Sequence, residues 1–267
     1  MKFTKPKHFD YNSVVIGAGS AGLVTSYITA LLKAKVALIE KHKMGGDCLN
    51  TGCVPSKALI KSAKIFGLAM HAKKLGLKKV DIEFDFKDIM DRVQNVVQKI
   101  EPHDSVERYE GLGVECFQGD ATIKSPWEVL VNGKTLTTKN IVIASGARPM
   151  VPPFEGLNDV CFVTSDNLWQ LKELPKKMIV LGGGAIGCEL AQCFVRFGSE
   201  VTLVEKSSRL MPREDQQVAQ VIEQRFKDEG IKVLTQTSAK KFYKKEGRQY
   251  LVIETKDGES QDIEFDI

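Results

Sequence analysis

Two glycine-rich turns, Gly17-Ala18-Gly19-Ser20-Ala21-Gly22 and Gly182-Gly183-Gly184-Ala185-Ile186-Gly187, begin 165 residues apart (182 − 17) in a chain of 267 residues. Each follows a short apolar run, Asn12-Ser13-Val14-Val15-Ile16 in one case and Met178-Ile179-Val180-Leu181 in the other. Each leads into a helical stretch, about Ala21 to Ala34 and Cys188 to Phe197, and then a second apolar run. Those second runs, Lys35–Ile39 and Glu200–Val204, both end at an acid: Glu40 and Glu205 each lie 23 residues beyond the first glycine of their loop (40 − 17 and 205 − 182). Short runs dominated by Val, Ile and Leu suit strands buried on both faces of a parallel sheet. A helix between two such strands makes a βαβ unit. The repeat therefore predicts an α/β fold with two Rossmann-like dinucleotide-binding domains, three-layered, with a small β-meander.

Between the repeats, residues 57–75 and 87–110 are predicted helical; in the second, Ile89, Val93, Val96 and Ile100 form an apolar stripe suited to core packing. Short strands are expected at Gly113–Gln118, Trp127–Val131 and Asn140–Ala144, with Asn132-Gly133 as a hairpin turn. Pro149, Pro152 and Pro153 then punctuate the chain. The expected domains are 1–150, with the first glycine turn, and 151–267, with the second. Asp262–Ile267 reads as a strand that stops inside the second domain.

Composition narrows the function classes. The net charge of +4 is small for this length, and the lysines at 2, 5 and 7 and at 240, 241, 244 and 245 read as solvated faces, so no nucleic-acid partner is expected. No apolar run approaches the ~20 residues of a membrane span, and Lys and Pro interrupt the N-terminal stretch where a secretory signal would lie. A cytoplasmic location is expected. Six cysteines in a chain this long do not suggest a secreted disulfide scaffold.

In each loop the glycines permit a tight turn, close approach of backbone to a pyrophosphate and close helix–strand packing. The N–H groups at the following helix N-terminus suit phosphate. Glu40 and Glu205 are placed to accept from ribose hydroxyls. Glu205 would repel a 2′-phosphate, so NAD is favoured over NADP, although Lys206 offers a phosphate a partner. Two dinucleotide sites imply two cofactors that exchange electrons, a nicotinamide delivering hydride and a flavin accepting it.

The remaining signal is Gly45-Gly46-Asp47-Cys48-Leu49-Asn50-Thr51-Gly52-Cys53-Val54-Pro55-Ser56-Lys57. Cys188 and Cys193 have the same spacing as Cys48 and Cys53, but within a predicted helix. There, positions i and i+5 lie about 140° apart around the axis, too far for a disulfide. Cys188 and Cys193, with Cys116 and Cys161, are expected to be packed thiols. Asn50, Thr51 and Gly52 are poor helix formers, so the backbone between Cys48 and Cys53 can distort and bring the sulfurs together. A helix starting near Pro55 would place Cys53 by a helix N-terminus, with Lys57 adding positive charge, and both stabilise a thiolate. A structural disulfide and a metal site remain alternatives; no second Cys/His pair lies nearby to complete a metal site, and none is expected.

The stretch Gly45–Lys57 resembles the redox-active disulfide motif of the class I pyridine nucleotide–disulfide oxidoreductases, which include dihydrolipoyl dehydrogenase and mercuric reductase. The likeness extends over the first loop with Glu40, over Ile141-Val142-Ile143-Ala144-Ser145-Gly146-Ala147-Arg148-Pro149, and over Thr164-Ser165-Asp166 and the second loop with Glu189. It implies that Cys53 lies beside the flavin, that Cys48 meets the substrate, and that Lys57 sits near the flavin and pairs with Glu189. It places Gly17, Gly19, Ser20, Ala21, Gly22, Glu40, Lys41, Gly46, Asp47, Lys57, Gly119, Ala144, Ser145, Gly146 and Arg148 around FAD. It places Gly182, Gly184, Ala185, Ile186, Gly187 and Glu205 around NAD. Asp47 and Ser145 stand where family members often have Thr. The implied activity is that of dihydrolipoyl dehydrogenase on a small disulfide, with Hg(II) reduction and a non-catalytic nucleotide-binding fragment as alternatives. Family members continue into a domain that forms a homodimer and donates a His with a Glu five residues after it; none of His8, His42, His71 and His103 is followed so. The chain is therefore expected to be a truncated member that binds FAD weakly by itself.

Overall fold

A computed structural model describes residues 3–78 and 80–267. The strands are β1 Tyr11–Ile16, β2 Val36–Glu40, β3 Val114–Gln118, β4 Thr122–Ser125, β5 Glu128–Val131, β6 Lys134–Ile143, β7 Lys177–Leu181, β8 Glu200–Val204, β9 Lys232–Leu234, β10 Thr237–Lys245, β11 Arg248–Thr255 and β12 Ser260–Phe265. The helices are α1 Ser20–Leu31, α2 Gly46–Asn50, α3 Cys53–Met70, α4 Phe86–Ile100, α5 Val106–Gly111, α6 Ala185–Phe197 and α7 Gln216–Asp228. They fall into two units, Met1–Pro55 with Gln94–Arg148 and Ser56–Val93 with Pro149–Ile267.

In the first unit β3, β2, β1 and β6 run parallel in that order, and β6 continues into an antiparallel ribbon with β5 and β4. The ten residues of β6 serve both: Lys134–Thr137 face β5, and Thr138–Ile143 face β1. Alternation along the strands makes three layers. Val15, Leu38 and Val114 pack under Leu23 and Ala30 of α1 and Tyr109 of α5. Val14, Ala37 and Ile39 point the other way, against Val129, Val131 and Leu136 of the ribbon. Val14, Val15, Leu38 and Ile39 are all but fully buried, which stabilises by roughly 1.5–3 kcal/mol each. At the ribbon tip Asn132 (φ 48°) and Gly133 (φ 77°) both lie in the left-handed region, as a two-residue type I′ hairpin turn requires.

The second unit has a parallel sheet, β7-β8-β9, and an antiparallel meander, β10-β11-β12. Val204 packs with Leu157, Phe242, Leu251, Ile253 and Phe265 in one cluster. Residues 56–93 lie with this unit although they precede the prolines that punctuate the chain at 149–153. The reason is aromatic: Phe66 and Phe84 contact Phe197 at 5.2 and 6.2 Å between centroids, and Phe86 contacts Phe194 at 5.8 Å.

The helix predicted over 87–110 is broken. α4 ends at Ile100, a single 3-10 turn covers Glu101–Asp104, and α5 starts afresh. Pro102 cannot continue the helical ladder, and Ser105 Oγ accepts from Arg108 N at 3.2 Å as a new N-cap. Likewise α3 stops at Met70, short of the predicted 75, and a 3-10 turn, Ala72–Leu75, closes on the left-handed Gly76. The terminal strand forms as β12, and beyond it Asp266 N donates to Lys177 O while Ile267 O accepts from Ile179 N.

Candidate functional site

The two glycine loops fold to one design. Gly17 (φ 102°) and Gly182 (φ 103°) turn the chain out of β1 and β7. A Cβ at Gly22 would lie 1.8 Å from the Gly17 oxygen, and one at Gly187 would lie 2.1 Å from the Gly182 oxygen. Only glycine lets each helix pack so closely on its own loop. Gly19 and Gly184 are the N-caps of α1 and α6, and neither helix has a side chain capping its first N–H groups. Those donors and the positive end of the helix dipole form an anion seat.

The acids close the design. Glu40 Oε2 accepts from Ala18 N and its Oε1 from His42 N, both at 2.7 Å. Glu205 Oε2 accepts from Gly183 N and its Oε1 from Ser207 N, both at 2.6 Å. Each carboxylate thus ties the second N–H of its loop to the chain two residues beyond itself. The 23-residue spacing was read for ribose recognition; it also sets a backbone lock, which nothing in the spacing alone reveals. Glu205 is only 9% exposed. Burial alone would raise its pKa, but the N–H donors of Ser207 and Gly183 outweigh that and hold it below the ordinary range.

Most of the residues assigned to the first cofactor come together around the first loop. A Cβ on Gly17 would strike the Ala144 oxygen at 2.2 Å and approach Ser145 Cα at 3.2 Å, and Ala144 N donates to Ile16 O at 2.8 Å. Gly45 N donates to Ala18 O at 2.9 Å, and a Cβ on the left-handed Gly46 would come within 2.6 Å of Gly19 Cα. Asp47 follows Gly46 in α2, Ser20 and Ala21 open α1, and Gly119 N donates to Glu40 O at 2.9 Å. Lys41 reaches Asp120 at 3.8 Å. Gly146 and Arg148 lie on the exposed chain that follows. Gly45 (φ 85°) was not singled out from sequence, although it supplies one of the loop's hydrogen bonds; its place directly before Gly46 was the available signal. In the second unit Gly182, Gly184, Ala185, Ile186 and Gly187 line one side of a cleft of about 580 Å3 whose other walls are largely apolar.

The cysteine motif breaks where its composition predicts. α2 ends at Asn50, Thr51 leaves helical geometry (φ −138°), and α3 begins at Cys53. Gly52 is needed there, since a Cβ would meet Asp47 O at 2.9 Å. Pro55 stands in the first turn of α3, where its missing N–H costs nothing. Cys48, half-buried on α2, and Cys53, exposed at the start of α3, are both thiols. Lys57 is one turn beyond Cys53 on α3. Its Nζ donates to Glu189 Oε1 at 3.2 Å and Oε2 at 3.4 Å, joining α3 to α6 in the second unit.

The other cysteines behave differently from these two. Cys188 and Cys193 are 5% and 2% exposed, and burial pushes their pKa values up to about 11 and about 12. Cys188 Sγ donates to Gly183 O at 3.4 Å. Cys116 is also pushed up to about 11 by burial. Cys161, expected to be packed, is instead exposed, because its stretch lies along the apolar cleft rather than in a strand or helix.

Residues 11–267 match the family described as pyridine nucleotide-disulphide oxidoreductase. The chain belongs to that family. Among curated members of this oxidoreductase family, dihydrolipoyl dehydrogenase of Acholeplasma laidlawii is 35% identical over 263 residues, covering 97% of this chain and 76% of the relative. Mercuric reductase of Staphylococcus aureus is 32% identical, covering 96% of this chain and 47% of the relative. Dihydrolipoyl dehydrogenase of Geobacillus stearothermophilus is 35% identical, covering 95% and 54%. A solved Cu(II) complex of the HOCl-induced flavoprotein disulfide reductase RclA from Escherichia coli superposes with a TM-score of 0.79 at 28% identity, over 95% of this chain and 54% of that one. The chain thus spans about half the length of most of these relatives.

Proposed function

We propose that the chain carries electrons between NADH and a disulfide substrate through FAD and the Cys48–Cys53 pair, in the manner of dihydrolipoyl dehydrogenase. The observation that carries this reading is the thiol pair at the α2–α3 break, with Lys57 one turn on and engaged by Glu189, in a chain with two acid-locked glycine loops. The loops fit their cofactors: each has uncapped N–H donors and glycines whose Cβ atoms would fill the cradle. FAD belongs to the first and NAD to the second, where a carboxylate rather than a cation meets the ribose; Lys206, next to Glu205, is the one feature that speaks for NADP.

Bound FAD supplies a two-electron carrier and NADH the hydride. The protein's own part is sulfur chemistry. Two electrons break the Cys48–Cys53 bond. The Cys48 thiolate then attacks the substrate disulfide and expels one thiolate, and Cys53 attacks the mixed disulfide, re-forming the bond and releasing the second. One NADH and one proton reduce one disulfide to two thiols. The reverse direction oxidises a dithiol. Lys57, held by Glu189, places positive charge beside the reduced centre. A homodimer in the cytoplasm acting on a small disulfide completes the reading; no helix among the described residues is long and apolar enough to cross a membrane.

The test is a spectrum. FAD-loaded protein reduced by two electrons should show a long-wavelength charge-transfer band. Cys53→Ser should abolish that band, and Cys48→Ser should keep or strengthen it. A protein that stays colourless after FAD loading would refute the enzymatic reading and favour a non-catalytic nucleotide-binding fragment. The mercuric reductases among the relatives motivate a second arm: NAD(P)H oxidation that depends on Hg(II) and not on lipoamide would move the substrate to the metal.

A further inference from the structure

Within the second unit, α3, α6 and α7 border a separate open cavity of about 410 Å3. Its walls include Lys64 and Leu68 from α3, His71 and Lys74 just beyond it, Arg196 from α6 and Arg225 from α7. Glu229 holds two of these walls together. Its side chain is fully buried and accepts from Arg196 Nε and Nη2 at 2.8 Å each and from Arg225 Nε at 2.6 Å. Gln192 adds a longer contact at 3.3 Å. A Cβ on Gly67, which also lines the cavity, would come within 2.8 Å of Arg196 Nε, so the glycine gives the guanidinium its seat.

The charges do not balance. Among the described ion pairs of this lining one carboxylate, Glu229, meets two arginines, and Lys64 and Lys74 add two further cations. Among the described residues His71 Nε2 is buried without a hydrogen-bond partner, 4.0 Å from Glu229 Oε1. Among the described hydrogen bonds of Arg225 only Nε is used, which leaves its terminal nitrogens for another acceptor. Stabilising Glu229 accounts for the arginines' inner edges but not for the lysines or the orphaned imidazole nitrogen. Like charges gathered around one cleft attract a multivalent anion, while the cleft surface itself is largely apolar, with Ile60, Leu68 and Leu75 in it.

We propose that this cavity is a binding site for a phosphorylated small molecule with an apolar body of up to nucleotide size, distinct from both dinucleotide loops. It sits between the two helices that Lys57 and Glu189 join, with Lys64 and Arg196 each seven residues, about two turns, beyond those partners on α3 and α6.

Inorganic pyrophosphate and AMP, titrated separately into the 15N-labelled chain, test the site. Saturable amide shifts at 64–75 and around Arg196 and Arg225 are expected, with AMP binding the tighter of the two. Lys64→Glu combined with Lys74→Glu changes exposed side chains only and should weaken AMP by at least about tenfold with an unchanged circular dichroism spectrum. Arg225→Gln should weaken it independently. Shifts confined to 17–22 or 182–187, equal affinity in the double variant, or no saturation at millimolar probe would overturn the proposal. Pyrophosphate binding tighter than AMP would overturn the apolar-body part of it.

Discussion

Replacing Glu205 by Gln tests whether the acid locks the second loop. The carboxylate accepts two N–H groups, one on each oxygen, at 2.6 Å and with 9% exposure. A glutamine has one carbonyl oxygen, so either Gly183 N or Ser207 N must face an NH2 group. The loss of one charge-assisted bond, or equally the cost of stranding a buried N–H, is about 2–3 kcal/mol. That energy should appear as local opening, since a loop lock need not control global unfolding. Amide exchange at Gly183 and Ser207, followed by NMR, should accelerate roughly 30- to 150-fold at 1.4 kcal/mol per decade. Amides of the first loop, whose lock is Glu40, should not change. The pH dependence follows in sign. Because the folded pKa of Glu205 is depressed, its contribution is fully present above the unfolded carboxylate value of about 4.3. It is lost as pH falls through the lower folded value. The protection factor of Gly183, its exchange rate taken relative to the intrinsic rate at each pH, should fall in acid in the parent and lose that pH sensitivity in the variant. Exchange rates in the Gln variant within about threefold of the parent, a difference under 1 kcal/mol, would refute the lock.

Other outcomes are expected. Glu229→Ala strands two arginines and should destabilise the second unit by about 3–5 kcal/mol, measured as a lower urea midpoint; a midpoint equal to that of the parent would contradict the burial described above. Gly133→Ala meets no atom within 4 Å but forces φ 77° on a Cβ, so about 1–2 kcal/mol from the backbone alone is expected, and Gly133→Asn should recover much of it. Gly22→Ala, with its Cβ 1.8 Å from the Gly17 oxygen, should abolish flavin retention, and retained FAD would show that the loop has another way to pack. Folded protein, first reduced and freed of reductant, then treated with a thiol reagent at pH 8, should label Cys53 and Cys161 well before Cys188 and Cys193. Thiols at about 11 and about 12 are thiolate at roughly one part in a thousand or less. Comparable rates at Cys188 would refute their assignment as packed groups.

Much of this was legible in the sequence because the informative residues act locally. The βαβ units announce themselves through Val14-Val15-Ile16 and Met178-Ile179-Val180, apolar runs next to glycines that the turn geometry demands. Asn132-Gly133 fixes its hairpin by φ alone, and Gly52 breaks the helix between the cysteines. What could not be read depends on partners distant in the chain. The grouping of 56–93 with the second unit rests on Phe66, Phe84 and Phe86 meeting Phe194 and Phe197, and aromatic content does not say which aromatics meet. The apolar stripe in 87–110 predicted one helix because periodicity survives a break, and Pro102 and Ser105 were the overlooked stop and start. Cys161 looked like a packed thiol because composition cannot distinguish a strand from a strip along a cleft. The engagement of both acids with backbone N–H groups required the loop itself.

The sharing of β6 between sheet and ribbon has a consequence for the order of events during synthesis. Asp10 and Thr137 bond across 127 residues, and Ala144, at the exit of the same strand, closes the back of the first glycine loop. β1, the loop and α1 leave the ribosome early, yet the strand that completes them is among the last parts of its unit to emerge. Contacts of such long range are slow to form. The nascent first unit must therefore wait with β1 lacking one neighbour for more than a hundred residues of translation. Flavin capture should begin only once the chain has passed residue 144.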